Sequence, residues 1–165
     1  MVEGGEKGKV EYVFDASAIG VLLEKLGERG PKYLEGATTL DLALYELGNL
    51  LWKACRLRRA ISEEEALEGA RSLVKVLEIM KRERLRVEDA ESVMALAFSL
   101  GLTFYDASYL HLVKSKGGVL VTEDRDLLKQ AGAVGVKAVR VEEYLASALW
   151  REPGALEGGR VKYPQ

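Results

Sequence analysis

The chain has 165 residues, of which 48% are hydrophobic and 30% charged, with a net charge of −2. That length suits one domain able to bury roughly 68–70% of its unfolded surface, and so to fold without staples. One cysteine excludes an intrachain disulfide and a cysteine-based zinc site, no run approaches the ~18–20 apolar residues of a membrane span, and the charge balance excludes a globally basic nucleic-acid coat.

Residues 1–8 read as a flexible lead. They are rich in glycine and charge and lack the apolar segment of a signal peptide, so a cytoplasmic protein is expected. Lys9 to Phe14 is β-branched and aromatic enough for a first strand. After it, Ile19, Leu22, Leu23 and Leu26 recur at helical spacing, with Asp15 or Ser17 as the cap and Gly27 and Gly30-Pro31 as the stop.

Ala37 to Thr39 forms a short second strand, and Leu40 to Leu57 a long helix with Leu40, Leu44, Leu47 and Leu51 on one side. Cys55 is expected on the core face of that helix. Ser62 with Glu65 makes a capping box, which starts a helix from Glu63 to about Arg82. Leu85 to Val87 is a candidate strand, and Asp89 to Leu100 a helix ended by Gly101.

Phe104-Tyr105-Asp106 opens a further helix that stops at Gly117-Gly118. Val119 to Thr122 has the run of a buried strand. A helix follows from Glu123 through Lys129, then a strand from Val136 to Val141 and a helix from Glu142 to Trp150. The domain therefore spans 9–149, and 150–165, rich in Pro and Gly, reads as an irregular tail. Strands alternating with helices favour an α/β fold with a parallel sheet covered on both faces.

Most of the 26 acidic residues belong on a solvated surface. Asp15 and Asp124 do not fit that description, because each directly follows an apolar strand. In open α/β sheets ligands bind beyond the C-terminal strand ends. Glu46 sits in a mostly apolar helix, and Asp106 precedes another. Singly, Asp15, Asp106 and Asp124 are explained as helix caps, and Glu46 reads equally as an amphipathic edge or a site residue. As a set they would repel one another unless a hard cation neutralised them, and Mg²⁺ or Mn²⁺ prefers oxygen ligands. Such an ion activates water for phosphodiester displacement without a protein nucleophile.

Other folds with an acid after the first strand fit less well. A haloacid-dehalogenase-like phosphatase needs a second Asp where this chain has Ser17, and Asp15 to Gly20 lacks the glycines of a dinucleotide-binding turn.

Four pieces in order carry a family likeness: Val13-Phe14-Asp15-Ala16-Ser17; Glu46-Leu47-Gly48-Asn49 with Trp52-Lys53; Phe104-Tyr105-Asp106-Ala107-Ser108-Tyr109-Leu110; and Leu120-Val121-Thr122-Glu123-Asp124-Arg125-Asp126-Leu127. Over about residues 9–147 the sequence resembles the PIN-domain ribonucleases, and among them the VapC-type toxins of toxin–antitoxin pairs. The resemblance implies a three-layer fold with a central parallel sheet of four or five strands. It implies metal-binding, catalytic acids at Asp15, Glu46, Asp106 and Asp124, with Asp126 as an accessory acid and Ser17 and Thr122 as supporting hydroxyls. It also implies a Mg²⁺- or Mn²⁺-dependent endoribonuclease acting on RNA, usually a homodimer, held inactive by a VapB-type antitoxin.

A homodimer is expected through apolar side chains on the helices between residues 31 and 60. The other readings are a PIN nuclease of RNA processing and a non-catalytic PIN-like binding module. Two basic runs, Lys53 to Arg59 and Lys81 to Arg86, are read as solvated faces that would aid RNA binding if they rim the acidic cleft. His111 is not expected to face a metal. Trp52, Tyr105 and Tyr109 are read as packing residues, with base stacking as the alternative.

Overall fold

Five short strands form one sheet in the order β3-β2-β1-β4-β5: β1 (Tyr12–Phe14), β2 (Thr38–Leu40), β3 (Lys81–Glu83), β4 (Val119–Val121) and β5 (Lys137–Val139). The structure is a computed structural model and describes residues 9–149. The expected flexible lead at 1–8 and irregular tail at 150–165 lie outside the described residues. Every strand pair is parallel, in register Val13↔Leu120 and Phe14↔Val121 at the centre. The chain builds β1, β2 and β3 outward on one side, then returns to add β4 and β5 on the other. The reversal falls between β1 and β4, and this is where a doubly wound sheet opens a crevice at its C-terminal edge.

Alternation along the strands divides the core into two layers. Phe14 and Val121 face Ile19 and Leu22 of α1 (Ala16–Leu26), Leu77 of α4 (Glu63–Ile79) and Val141 and Tyr144 of α8 (Val141–Leu149). Val13 and Leu120 face Leu110 and Val113 of α6 (Phe104–Lys116) and Leu127 of α7 (Arg125–Gln130). Each of these leucine- or valine-sized side chains contributes about 1.5–3 kcal/mol by leaving water. Helix α5 (Ala90–Leu100) packs on α6 through Val93, Ala97 and Ala107, and α3 (Leu42–Arg56) brings Ala43 and Leu47 to the first layer. Two layers of helix around one parallel sheet are the three-layer α/β architecture expected.

Sequence punctuation and structure agree at several ends. Ser62 and Glu65 form the reciprocal capping box, and α5 and α6 end at Gly101 and Gly117 with φ of 65° and 64°, backbone values that glycine adopts without strain.

Several expectations change. The third strand is Lys81–Glu83, not Leu85 to Val87, and α4 stops at Ile79 rather than near Arg82. A charged Lys-Arg-Glu strand pairs on one side only, at the sheet edge, and so shows no apolar alternation. Leu40 ends β2 instead of starting the long helix, and Leu44 is exposed, so the apolar side of α3 is narrower than its leucines imply. Pro31, read as a stop, begins a short helix α2 (Pro31–Leu34), the position proline favours. Cys55 is half-buried rather than a core residue.

Gly118 enters β4 so close to β1 that a Cβ would lie 2.6 Å from the Glu11 carbonyl oxygen. At Gly69 on α4 the nearest atoms are the movable tips of Leu51. Gly118→Ala should therefore cost roughly 1–3 kcal/mol and lower the melting temperature by several degrees, with Gly69→Ala costing less. Thermal melts of the two variants check this, and equal melting temperatures would contradict the close β1–β4 approach.

Candidate active site

Asp15 leaves β1 straight into α1 and does two jobs. Its Oδ1 accepts from the Ala18 amide at 2.8 Å, capping the helix, and from the Ser17 hydroxyl at 2.7 Å. Its Oδ2 accepts from the Thr122 hydroxyl, at the end of β4. Cap and cleft residue are thus not competing descriptions, because a carboxylate has enough lone pairs for both. Ser17 also accepts from the Glu123 amide at 3.0 Å, and Thr122 from the Asp124 amide at 3.0 Å. The two hydroxyls thereby tie the β1–α1 turn to the loop that carries Asp124.

Asp124 caps α7 through one oxygen, Oδ1, which accepts from the Asp126 and Leu127 amides at 2.9 Å each. Asp106 is not a cap. Thr103 caps α6, accepting from the Asp106 amide at 3.1 Å and donating to Asp106 Oδ2 at 2.7 Å. The Thr-x-x-Asp spacing was the available signal for this pair. Glu46 projects from α3 and accepts at Oε2 from the Tyr109 hydroxyl of α6, at 2.8 Å. That partnership spans 63 residues and has no local sequence signature.

Asp15, Glu46, Asp106 and Asp124 line one open cleft of about 370 Å³, together with Ser17, Asn49, Lys53 and Tyr105. Thr122 lies beneath it, fully buried. Asp126 stands outside the lining but is near enough for its charge to act on Asp106. The cleft sits over the C-terminal ends of β1 and β4, at the switch point of the sheet.

The electrostatics follow from crowding acids at a half-dry site. Burial pushes the Asp15 carboxyl up to about 6, against the pull of hydrogen bonds from Thr122, Ser17 and Ala18, and Asp106 adds to the rise. Burial also raises Glu46 despite the Tyr109 bond, with Asp15 and Asp106 contributing. Asp106 is raised by burial and then by Asp124 and Asp126. Burial and the Glu46 charge keep the Tyr109 phenol protonated, and hence a donor, at any working pH.

Glu46 Oε1, Asp106 Oδ1 and Asp124 Oδ2 accept no protein hydrogen bond among the described residues. An all-oxygen donor set of this kind fits a hard divalent cation. Among the described residues no three acidic, histidine or cysteine side chains are gathered closely enough to enclose an ion, so the carboxylates border the cleft without closing it.

The remaining sequence candidates divide. Lys53 rims the cleft, whereas Arg56 pairs with Glu63, Arg84 with Asp41 and Arg86 with Asp89. His111 faces Asp89 at 3.6 Å, away from the cleft. Of the aromatics read as packing, Tyr109 is buried, but Trp52 and Tyr105 are exposed. No single helix among the described residues is long and apolar enough to cross a membrane.

The PIN domain family model matches residues 12–133. The chain belongs to the PIN-domain family. It is 41% identical over 133 residues to exonuclease VapC9 of Pyrobaculum aerophilum, spanning 80% of this chain and 95% of that protein. With ribonuclease VapC3 of the same organism it shares 35% over 130 residues, 76% of this chain and 98% of the relative. A crystal structure of a P. aerophilum protein superposes with a TM-score of 0.70 at 37% identity, covering 86% of this chain and 97% of that one. VapBC2 of Rickettsia felis, solved with a promoter DNA fragment, shares the fold at a TM-score of 0.56 and 14% identity, over 78% of this chain and 97% of that one. The PIN match contains all four cleft acids, Asp126, Ser17 and Thr122.

The raised Asp15 carboxyl sets a pH dependence for the metal-free PIN domain. The fold binds this proton more tightly than the unfolded chain does, so its contribution is fully present below about pH 4 and is lost as pH rises through about 6. Asp15→Asn can keep the same partners, its amide donating to Thr122, and does not lose stability over that range. Relative to wild type it should gain on the order of 2–3 kcal/mol between pH 4 and 7. Chemical denaturation of both proteins in chelator checks this, and a gap that does not change with pH would contradict it.

Proposed function

We propose that this PIN domain is a cytoplasmic, Mg²⁺- or Mn²⁺-dependent endoribonuclease of VapC type, the toxin of a pair whose partner is a VapB-type antitoxin. The observation that carries the reading is the meeting of Asp15, Glu46, Asp106 and Asp124 in one cleft, three of them with an oxygen left over. The names of the VapC relatives support nuclease chemistry.

In this reading Glu46, Asp106 and Asp124 would hold the cation, and Asp15, whose two oxygens already accept hydrogen bonds, would add to the negative field. When bound, the ion lowers the pKa of water and stabilises the oxygens of a phosphodiester undergoing in-line displacement. Ser17 and Thr122 fix the Asp15 carboxylate, Tyr109 fixes Glu46, and Thr103 fixes Asp106. Lys53 and Asn49 at the rim meet the RNA backbone. Holding these groups in place before substrate arrives avoids reorganisation during the reaction.

A circular single-stranded RNA tests the reading, because it has no ends for an exonuclease. Wild type should open it when Mn²⁺ is added and not in chelator. Asp15→Asn should lose at least about 100-fold of that rate and the metal-dependent rise in melting temperature, while Asp126→Asn stays within a few-fold. Intact circles with wild type, or full cleavage by Asp15→Asn, would overturn the proposal.

The homodimer belongs to the same proposal. Leu44 and Trp52 lie eight residues apart on one stripe of α3, and Leu67 and Val74 are exposed on the adjoining α4. Light scattering at micromolar concentration should give twice the chain mass, and Trp52→Glu should halve it. A monomer at all concentrations would remove this part.

A further inference from the structure

Two exposed tyrosines beside the cleft have no part in holding the acids. Tyr45 directly precedes Glu46 on α3, and Tyr105 directly precedes Asp106 on α6. Successive helical residues point about 100° apart. Each helix that turns a carboxylate into the cleft therefore turns a tyrosine to its side. The two rings are 73% and 58% exposed, and among the described residues neither packs on another aromatic ring.

Both tyrosines border a second groove, of about 250 Å³, walled by Leu42, Leu85 and Phe104 and rimmed by Arg84. Tyr105 lines this groove and the carboxylate cleft alike, so the two adjoin at its ring. Arg84 sits at this rim with its side chain 87% exposed, paired at 3.5 Å with Asp41, which also lines the groove. Lys53 stands in the carboxylate cleft itself.

We propose that this groove takes one unpaired nucleobase of the RNA, the neighbour of the phosphodiester in the cleft, stacked on Tyr45 and Tyr105. Arg84 then meets the phosphate beyond it. The proposal rests on the RNA-cleaving reading above. An apolar slot with two aromatic faces suits a planar ring, and every base offers such a face, so the contact is tolerant of sequence. A lysine in the cleft and an exposed arginine at the groove suit a chain with a negative charge at every nucleotide, and a phosphate can displace the weak surface pair of Arg84 with Asp41. The consequence is a preference for unpaired over duplex RNA that does not depend on which base is present.

The test uses the full chain and a short single-stranded RNA carrying 2-aminopurine, whose fluorescence falls on stacking, with Ca²⁺ as the oxygen-liganding ion. Wild type should quench the probe to saturation. Tyr45→Ala and Tyr105→Ala should each weaken binding roughly ten-fold and remove the quenching. Tyr45→Phe and Tyr105→Phe should retain both, since the ring and not the hydroxyl is required. Phe98→Ala, exposed on α5, should behave as wild type. Melting temperatures of all variants report on folding.

Unchanged binding and quenching in the alanine variants, or failure of the phenylalanine variants, overturns the proposal. So does normal RNA binding accompanied by loss of a co-purifying peptide, which would make the groove a protein site. Cleavage in Mn²⁺ is scored separately. Quenching without cleavage by wild type sinks the nuclease reading and leaves the groove standing, and cleavage with no tyrosine effect does the reverse.

Discussion

The bond network around the Asp15 carboxylate holds this molecule's working end together. One oxygen closes the start of α1 and the other is met by Thr122 at the end of β4, with Ser17 between them. β1 and β4 are the strands at which the winding of the sheet reverses. A single buried acid thus pins the two halves of the fold at their junction. The cost is a charge held away from water, visible in its raised carboxyl. Hydrogen bonds offset part of that cost, and the rest is a standing preference for positive charge at the cleft.

The other acids repeat the same economy. Each gives one oxygen to a protein donor and keeps one free: Glu46 to Tyr109, Asp106 to Thr103, Asp124 to the first amides of α7. The donor fixes the side chain, and all three residues line the cleft. Because no buried side-chain polar atom among the described residues lacks a partner, the site is polar without being loose. The helices that deliver Glu46 and Asp106 also set Tyr45 and Tyr105 along the adjoining groove, so acid and ring arrive as neighbours from the same turn of helix.

The basic residues show why charge runs are poor guides. Lys53 reaches the cleft because α3 carries it there beside Glu46 and Asn49. The arginines that follow it in sequence do not line the cleft, and Arg56, Arg84 and Arg86 are engaged by Glu63, Asp41, Glu88 and Asp89. Surface pairs of that kind contribute little to stability, so a polyanion can compete for their cations.

Alternating apolar strands and amphipathic helices determined the parallel, doubly covered sheet, since burying both faces leaves no other use for runs such as Val13-Phe14 and Val119 to Val121. Local chemistry also determined the caps at Asp15 and Ser62 and the stops at Gly101 and Gly117, because those interactions close within a few residues. Motif order made Asp15, Glu46, Asp106 and Asp124 legible as a set. The edge strand Lys81–Glu83 was not legible, for its charges carry no alternation and its place comes only from pairing with β2. Nor were Tyr109 as the partner of Glu46 or the shared wall that Tyr105 gives to both grooves. Those contacts join elements tens of residues apart. They exist only once the return of the chain to β4 sets β1, α3 and α6 side by side.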